Sequence, residues 1–169
     1  MTIVVNDANI LIDLVKLQIL NQFFGLDFQF RTTDLVLEEL HDHQKKELEP
    51  YIDSGQLQVQ EISEEQLIEI IKIRMERPSL SEQDCSAFYQ AQYLEATLIT
   101  SDNTLRKFAK IKKLDVHGHL WVFDQMVISK TLSPAQASLK LDELCDNINP
   151  KLNLPKKECE LRKKMWQAN

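Results

Sequence analysis

Short apolar runs rich in β-branched residues alternate with stretches of helical period along this chain. That alternation restricts the fold more than any other feature. "TIVV", from Thr2 to Val5, has the composition of a strand buried on both faces. After "NDA" the pattern changes to "NILIDLVKLQIL", where Ile10, Leu11, Leu14, Val15 and Leu17 recur at helical spacing. "DFQFRT" (27–32) reads as a second strand and is followed by a helical "DLVLEELHDHQKKELEPYI". "QLQVQEI" (56–62) reads as a third, before a Ser63–Gln66 capping box that opens the amphipathic "EEQLIEIIKIRME". Pro78 ends that helix, and Ser81 opens another that runs to about Glu95. "TLIT" (97–100) gives a fourth strand, "NTLRKFAK" a short helix and "LDVHG" a weaker fifth strand. From Leu120 the pattern is helical, with breaks near Pro134 and Pro150. Strands alternating with helices predict an α/β fold of three layers, αβα, around a parallel sheet of about five strands. Residues 1–130 carry the alternation, and residues 131–169 are expected to form a helical extension packed on that domain.

The chain of 169 residues carries a net charge of -6, which argues against a general nucleic-acid coat that binds through a basic surface. It leaves open an enzyme that holds nucleic acid through a cation bound by acidic side chains. No apolar run approaches the length of a membrane span, and Asp7 and Asp13 interrupt the apolar N-terminal stretch, so neither a membrane helix nor a signal peptide is expected. Cys85, Cys145 and Cys159 are odd in number and widely spaced, which reads as free thiols in a cytoplasmic protein.

In an open parallel sheet, sites form beyond the carboxyl ends of the strands. Asp7 follows strand one and Asp102 follows strand four. Asp84 lies in the first turn of the helix leading into strand four, and Glu38 and Glu39 fall early in the helix predicted after strand two. Four elements therefore deliver carboxylates to one rim. Each also has a purely structural reading: Asp7 and Asp102 as helix N-caps, Asp84 as the partner of Ser81 in a capping box, and Glu39 as a solvated helix residue.

With these elements in order, the chain resembles the PIN-domain family of metal-dependent nucleases, which includes VapC-type toxins. The resemblance rests on "VVNDANILIDL", "LVLEEL", "LSEQDCSAFYQAQYLEATLITSDNTLRKFA" and "VHGHLWVFDQMV", and it covers about residues 1–130. It implies a metal-dependent endoribonuclease, a hydrolase acting on RNA phosphodiesters, whose acidic site maps onto Asp7, Glu39, Asp84 and Asp102. Glu39 rather than Glu38 matches the spacing from Val36 to Leu40. Asn9 and Thr100 would be the polar helpers. Asn103 stands where many relatives carry a further acid. A toxin of this kind implies a cognate antitoxin, expected to insert a basic side chain among the four carboxylates. Family members often pair, which makes a homodimer an expected partner state.

The chemistry of such a site is self-consistent. Crowded carboxylates repel one another and rise in pKa unless a cation joins them. Mg²⁺ or Mn²⁺ takes oxygen ligands and keeps some waters, so either suits the set. Arg106, Lys107 and Lys110 on the helix after Asp102 are candidate phosphate contacts, or else a solvated helix face. His41, His43, His117 and His119 lack supporting cysteines, and an H-x-H pair on a helix does not share a face, so zinc is not expected. Trp121 and Phe123 are expected in the core, with Trp166 anchoring the C-terminal segment. The apolar residues between Leu139 and Trp166 must pack on the sheet domain or on a second copy. Two other readings compete with the nuclease. A catalytically weak PIN-like binding module would keep the fold and hold metal poorly. A phospho-accepting αβα signalling domain would need a second acid after strand one and a lysine after strand five; "NDAN" and "HGH" supply neither. Asn9 likewise replaces the second aspartate that a haloacid-dehalogenase site requires.

Overall fold

A computed structural model describes residues 1–168. Five parallel strands form one sheet: β1 (Thr2–Asn6), β2 (Phe28–Thr33), β3 (Leu57–Gln60), β4 (Thr97–Ile99) and β5 (Val116–His117). Their spatial order is β3-β2-β1-β4-β5. The central strand pairs on both edges, Val4 with Phe30 and Thr97, and Val5 with Arg31 and Leu98. Val4 and Val5 are fully buried, as a strand covered on both faces requires.

The helices are α1 (Ala8–Leu17), α2 (Leu20–Phe24), α3 (Asp34–Leu37), α4 (Asp42–Asp53), α5 (Glu64–Glu76), α6 (Glu82–Tyr93), α7 (Asn103–Ile111), α8 (His119–Ile128), α9 (Pro134–Glu143) and α10 (Lys156–Gln167). Right-handed crossovers place the helices after β1 and β2 on one face of the sheet, and α6 and α7 on the other. Contacts of α1 with α4, α2 with α8, and α6 with α7 agree. The α/β architecture is therefore the three-layer one expected.

Two helices expected as continuous are broken. Gln18 adopts a left-handed φ of 58°, which ends α1, and α2 starts anew at Leu20. The stretch after β2 splits into the single turn α3 and the longer α4, so Glu38 and Glu39 lie in the turn between them rather than early in a helix. The two predicted capping boxes are present, Ser63 with Gln66 and Ser81 with Asp84.

The C-terminal segment completes the core on the α8 side. α10 packs on α8 and α9, and Leu141, Leu144 and Trp166 are buried in the same apolar cluster as the strands. Trp166 is 2% exposed and its indole N–H donates to Asp124 Oδ1 at 2.8 Å. Phe123 is buried beside it, whereas Trp121 is only half-buried and stacks between Phe28 and His117. Between α9 and α10 the chain forms a π-helical turn (Leu144–Ile148) and a 3₁₀ turn (Pro150–Leu152). Among the described residues no helix is long and apolar enough to cross a membrane.

Candidate active site

The strand order reverses direction between β1 and β4, since β2 and β3 extend one way and β5 the other. In parallel sheets the crevice at such a switch point is where side chains can converge on a ligand. Asp7 is the first residue beyond β1, and its backbone N–H donates to Ile99 O at 3.0 Å, continuing the β1–β4 ladder to the end of the sheet. Thr100 and Asp102 follow β4 at the same edge.

Asp7 is 1% exposed. Its Oδ1 accepts from Ala8 N–H at 2.8 Å, which caps α1, and its Oδ2 accepts from the Thr100 hydroxyl at 2.7 Å. Burial pushes its carboxyl from 3.8 up to about 7. The Thr100 hydrogen bond opposes the rise, while the nearby charges of Asp84 and Glu39 add to it. Asp84 caps α6: Ser81 N–H donates to its Oδ2 at 2.9 Å, and its own N–H donates to Ser81 Oγ at 3.0 Å. Its carboxyl is raised by burial, with the charge of Asp102 adding to the rise and the Ser81 hydrogen bonds opposing it. Asp102 caps α7 through Oδ1, which accepts from Leu105 N–H at 2.7 Å. Its N–H donates to Thr100 Oγ1 at 3.1 Å. Glu39 is exposed at its own surface, yet the protein around it raises its carboxyl by partial burial, with Asp84 contributing.

The capping reading holds for Asp7, Asp84 and Asp102. Each holds a helix N-terminus with one oxygen, and Asp84 adds its charge to Asp7 and Glu39 while Asp102 adds its own to Asp84. None of the four forms an ion pair among the described residues. An unneutralised all-oxygen donor set is what a hard divalent cation fits. No three His, Cys, Asp or Glu side chains among the described residues stand close enough to form a ready-made cage, so a metal would have to draw the carboxylates inward.

The other predicted residues differ in placement. Thr100 is fully buried and joins Asp7 to Asp102, whereas Asn9 is exposed. Arg106 is half-buried, and Lys107 and Lys110 point to solvent. His41 lies at the N-cap of α4 with extended backbone, so its ring stacks on His43 at 6.0 Å after all; the helical-face argument fails because His41 is outside the helix. His119 pairs with Asp13 at 2.8 Å, and Asn149 from the C-terminal segment donates to the same Asp13 oxygen at 3.1 Å.

Sequence reasoning missed several buried polar groups at this edge. Asn6 is fully buried, its Nδ2 donates to Arg31 O at 3.2 Å, and its Oδ1 has no partner. Ser86 and Thr33 share a hydroxyl hydrogen bond of 2.7 Å, and Gln90 Nε2 donates to Thr32 O at 3.0 Å. Ser86 and Gln90 tie α6, and with it Asp84, to the end of β2, while Asn6 ties β1 to it. The only trace of Ser86 and Gln90 in the sequence is polar residues on an otherwise apolar helix face.

A family model described as a PIN domain matches residues 3–152 of the chain. No curated protein matches it.

Proposed function

The chain belongs to the PIN-domain family, whose members are generally nucleases, and from that premise we propose that it is a divalent-metal-dependent endoribonuclease. The observation that carries the reading is that Asp7, Glu39, Asp84 and Asp102 come from four separate elements, that the carboxyls of Asp7, Glu39 and Asp84 are raised, and that no basic side chain among the described residues pairs with any of the four.

In this reading Asp7, Asp84 and Asp102 hold Mg²⁺ or Mn²⁺, with Glu39 completing the set. When bound, such an ion supplies an activated water and charge neutralisation at the phosphodiester. The chain's own residues set the stage for this. Thr100 keeps Asp7 oriented and favours its ionised form, because its hydroxyl donates to the carboxylate. Ser81 and the α7 backbone hold Asp84 and Asp102 by one oxygen each, leaving Asp84 Oδ1 and Asp102 Oδ2 for a ligand. Asn9, on the exposed first turn of α1, is available to a water or to substrate.

We further propose that the protein is the toxin of a toxin–antitoxin pair, acting in the cytoplasm and restrained by an antitoxin that presents a basic side chain to the four carboxylates. A two-fold homodimer is the proposed assembly. Leu139, Leu161 and Met165 support it, because they stay 69%, 47% and 50% exposed on α9 and α10 while Leu141, Cys159 and Trp166 of the same helices are buried. The segment from Thr131 is proposed as an integral outer layer of the nuclease rather than a detachable tail.

A second reading, a binding module with weak or no catalysis, has its own support in the separation of the carboxylates and in Asn103 at a position often acidic in relatives. Incubating the purified chain with single-stranded RNA across a Mg²⁺ and Mn²⁺ titration tests the choice. Cleavage that appears with metal and disappears with chelator is expected. RNA binding without cleavage at any metal concentration overturns the nuclease and leaves the binding module.

A further inference from the structure

Arg106 lies one helical turn after Asp102, on the same face of α7. It forms no ion pair and no side-chain hydrogen bond among the described residues, and its Nε is buried without a partner. Asp102 sits close in sequence but does not take the guanidinium. The Arg106 guanidinium sits against Gly118, the residue between β5 and α8. A Cβ on Gly118 would stand 3.3 Å from Arg106 Nη1, 3.7 Å from its Cζ and 3.5 Å from Thr100 O. The guanidinium therefore packs against a glycine, beside the residue whose hydroxyl holds Asp7.

Gly118 has φ -124° and ψ -161°, an extended conformation that any residue adopts. Backbone freedom gives no reason for a glycine here; the room it leaves for Arg106 does. An arginine with unused donors beside an unbalanced acidic rim does not serve to neutralise that rim, because it makes no contact with it. Planar guanidinium donors suit a phosphate oxygen pair. Lys107 and Lys110, exposed on the same helix, lack this fixed seat.

Building on the nuclease reading, we propose that Arg106, seated on Gly118, is a binding residue for a backbone phosphate of the RNA strand next to the scissile bond, on the β5 side of the carboxylates. Binding there positions the strand across the rim and contributes to substrate affinity rather than to bond cleavage.

The test uses the full chain and a fluorescein-labelled single-stranded oligoribonucleotide followed by anisotropy, in the Asp84→Asn background so that binding is read without cleavage. Arg106→Gln is expected to weaken binding roughly tenfold and to reduce the slope of log affinity against log salt by about 0.7, the share of one phosphate contact on a single strand. Arg106→Lys keeps the salt slope but recovers affinity only in part. Gly118→Ala weakens binding in the Arg106 protein and has no effect once Arg106 is Gln, since the guanidinium is crowded by the new methyl at 3.3 Å while Thr100 O, at 3.5 Å, is in ordinary contact. In the cleaving protein Arg106→Gln raises KM and leaves kcat within about twofold. Unchanged affinity and salt slope in Arg106→Gln overturn the proposal. So does a loss of binding that merely follows a lowered melting temperature, because that marks a structural arginine. If no metal supports cleavage, the nuclease reading fails by itself, and the anisotropy series still decides the role of Arg106.

Discussion

The Thr100 hydroxyl donates to the buried Asp7 carboxylate at 2.7 Å and accepts from Asp102 N–H at 3.1 Å, so one side chain joins the first strand's acid to the fourth's. Thr100→Val removes a donor that stabilises the ionised form of Asp7. The acid limb of the pH–rate profile is expected to move to higher pH, lowering the rate at pH 7 more than at pH 9. Stability should fall by about 1–3 kcal/mol, since Asp102 N–H loses its acceptor. An unshifted profile would show that Asp7 ionisation does not limit the reaction.

Asp7 also makes stability depend on pH. Its folded pKa of about 7 lies above the ordinary carboxyl value of 3.8, so between those values the native state binds more protons than the unfolded chain. Stability contributed by this group is complete below about pH 4, declines as pH rises towards 7 and is lost above it. At about 1.4 kcal/mol per pKa unit the full swing is on the order of 4 kcal/mol. Urea unfolding in chelator at pH 5 and pH 8 reads it. Asp7→Asn should flatten the difference and be the more stable protein at pH 8. Added Mg²⁺ should restore stability to the parent alone at pH 8.

Asp84→Asn retains an amide oxygen that can accept from Ser81 N–H, so the cap survives while the charge is lost. It is expected to melt within a degree or two of the parent and to lose metal-dependent cleavage by at least a hundredfold. Asp84→Ala also breaks the capping box and should cost about 1 kcal/mol in addition. A fully active Asp84→Asn protein would leave Asp84 as a cap and nothing more.

In a host cell, expression of the chain without its genomic neighbour should slow growth, and expression of Asp84→Asn should not. Equal growth curves for the two would remove the toxin role without touching the nuclease.

Trp166→Ala deletes a buried indole and its hydrogen bond to Asp124, at an expected cost of about 3–5 kcal/mol, measured by denaturant unfolding. Light scattering on the parent should give a dimer's mass at micromolar concentration, and Leu139→Lys or Met165→Lys should give a monomer's. A monomeric parent ends the dimer proposal.

The sheet and its edge were legible because strand and helix periods alternate cleanly, and because Ser63–Gln66 and Ser81–Asp84 announce their helices locally. Gln18 carries no such signal: a left-handed glutamine is set by the packing of α1 against its neighbours, not by local preference. The break after α3 was hidden because "LVLEELHDHQ" has no glycine or proline to mark it and opens with the strong helix formers Leu35, Leu37, Glu38, Glu39 and Leu40. Asn6, Ser86 and Gln90 were invisible because a buried polar residue is chosen by partners distant in sequence. Gln90 bonds a carbonyl 58 positions away, and apolar periodicity says nothing about such pairs. At Asp7, Asp84 and Asp102 the caps could be read locally, while the coupling among them needed the sheet order.

Because one oxygen of Asp84 and one of Asp102 hold helix N-termini while the others stay open, architecture and chemistry are divided between the two atoms of a single carboxyl. Exchanging only the open oxygen for an amide nitrogen would leave the scaffold intact and silence the site. A lineage built on this chain could therefore drift from cutting to merely holding its substrate in single steps, each nearly neutral for folding, and could return by the same route.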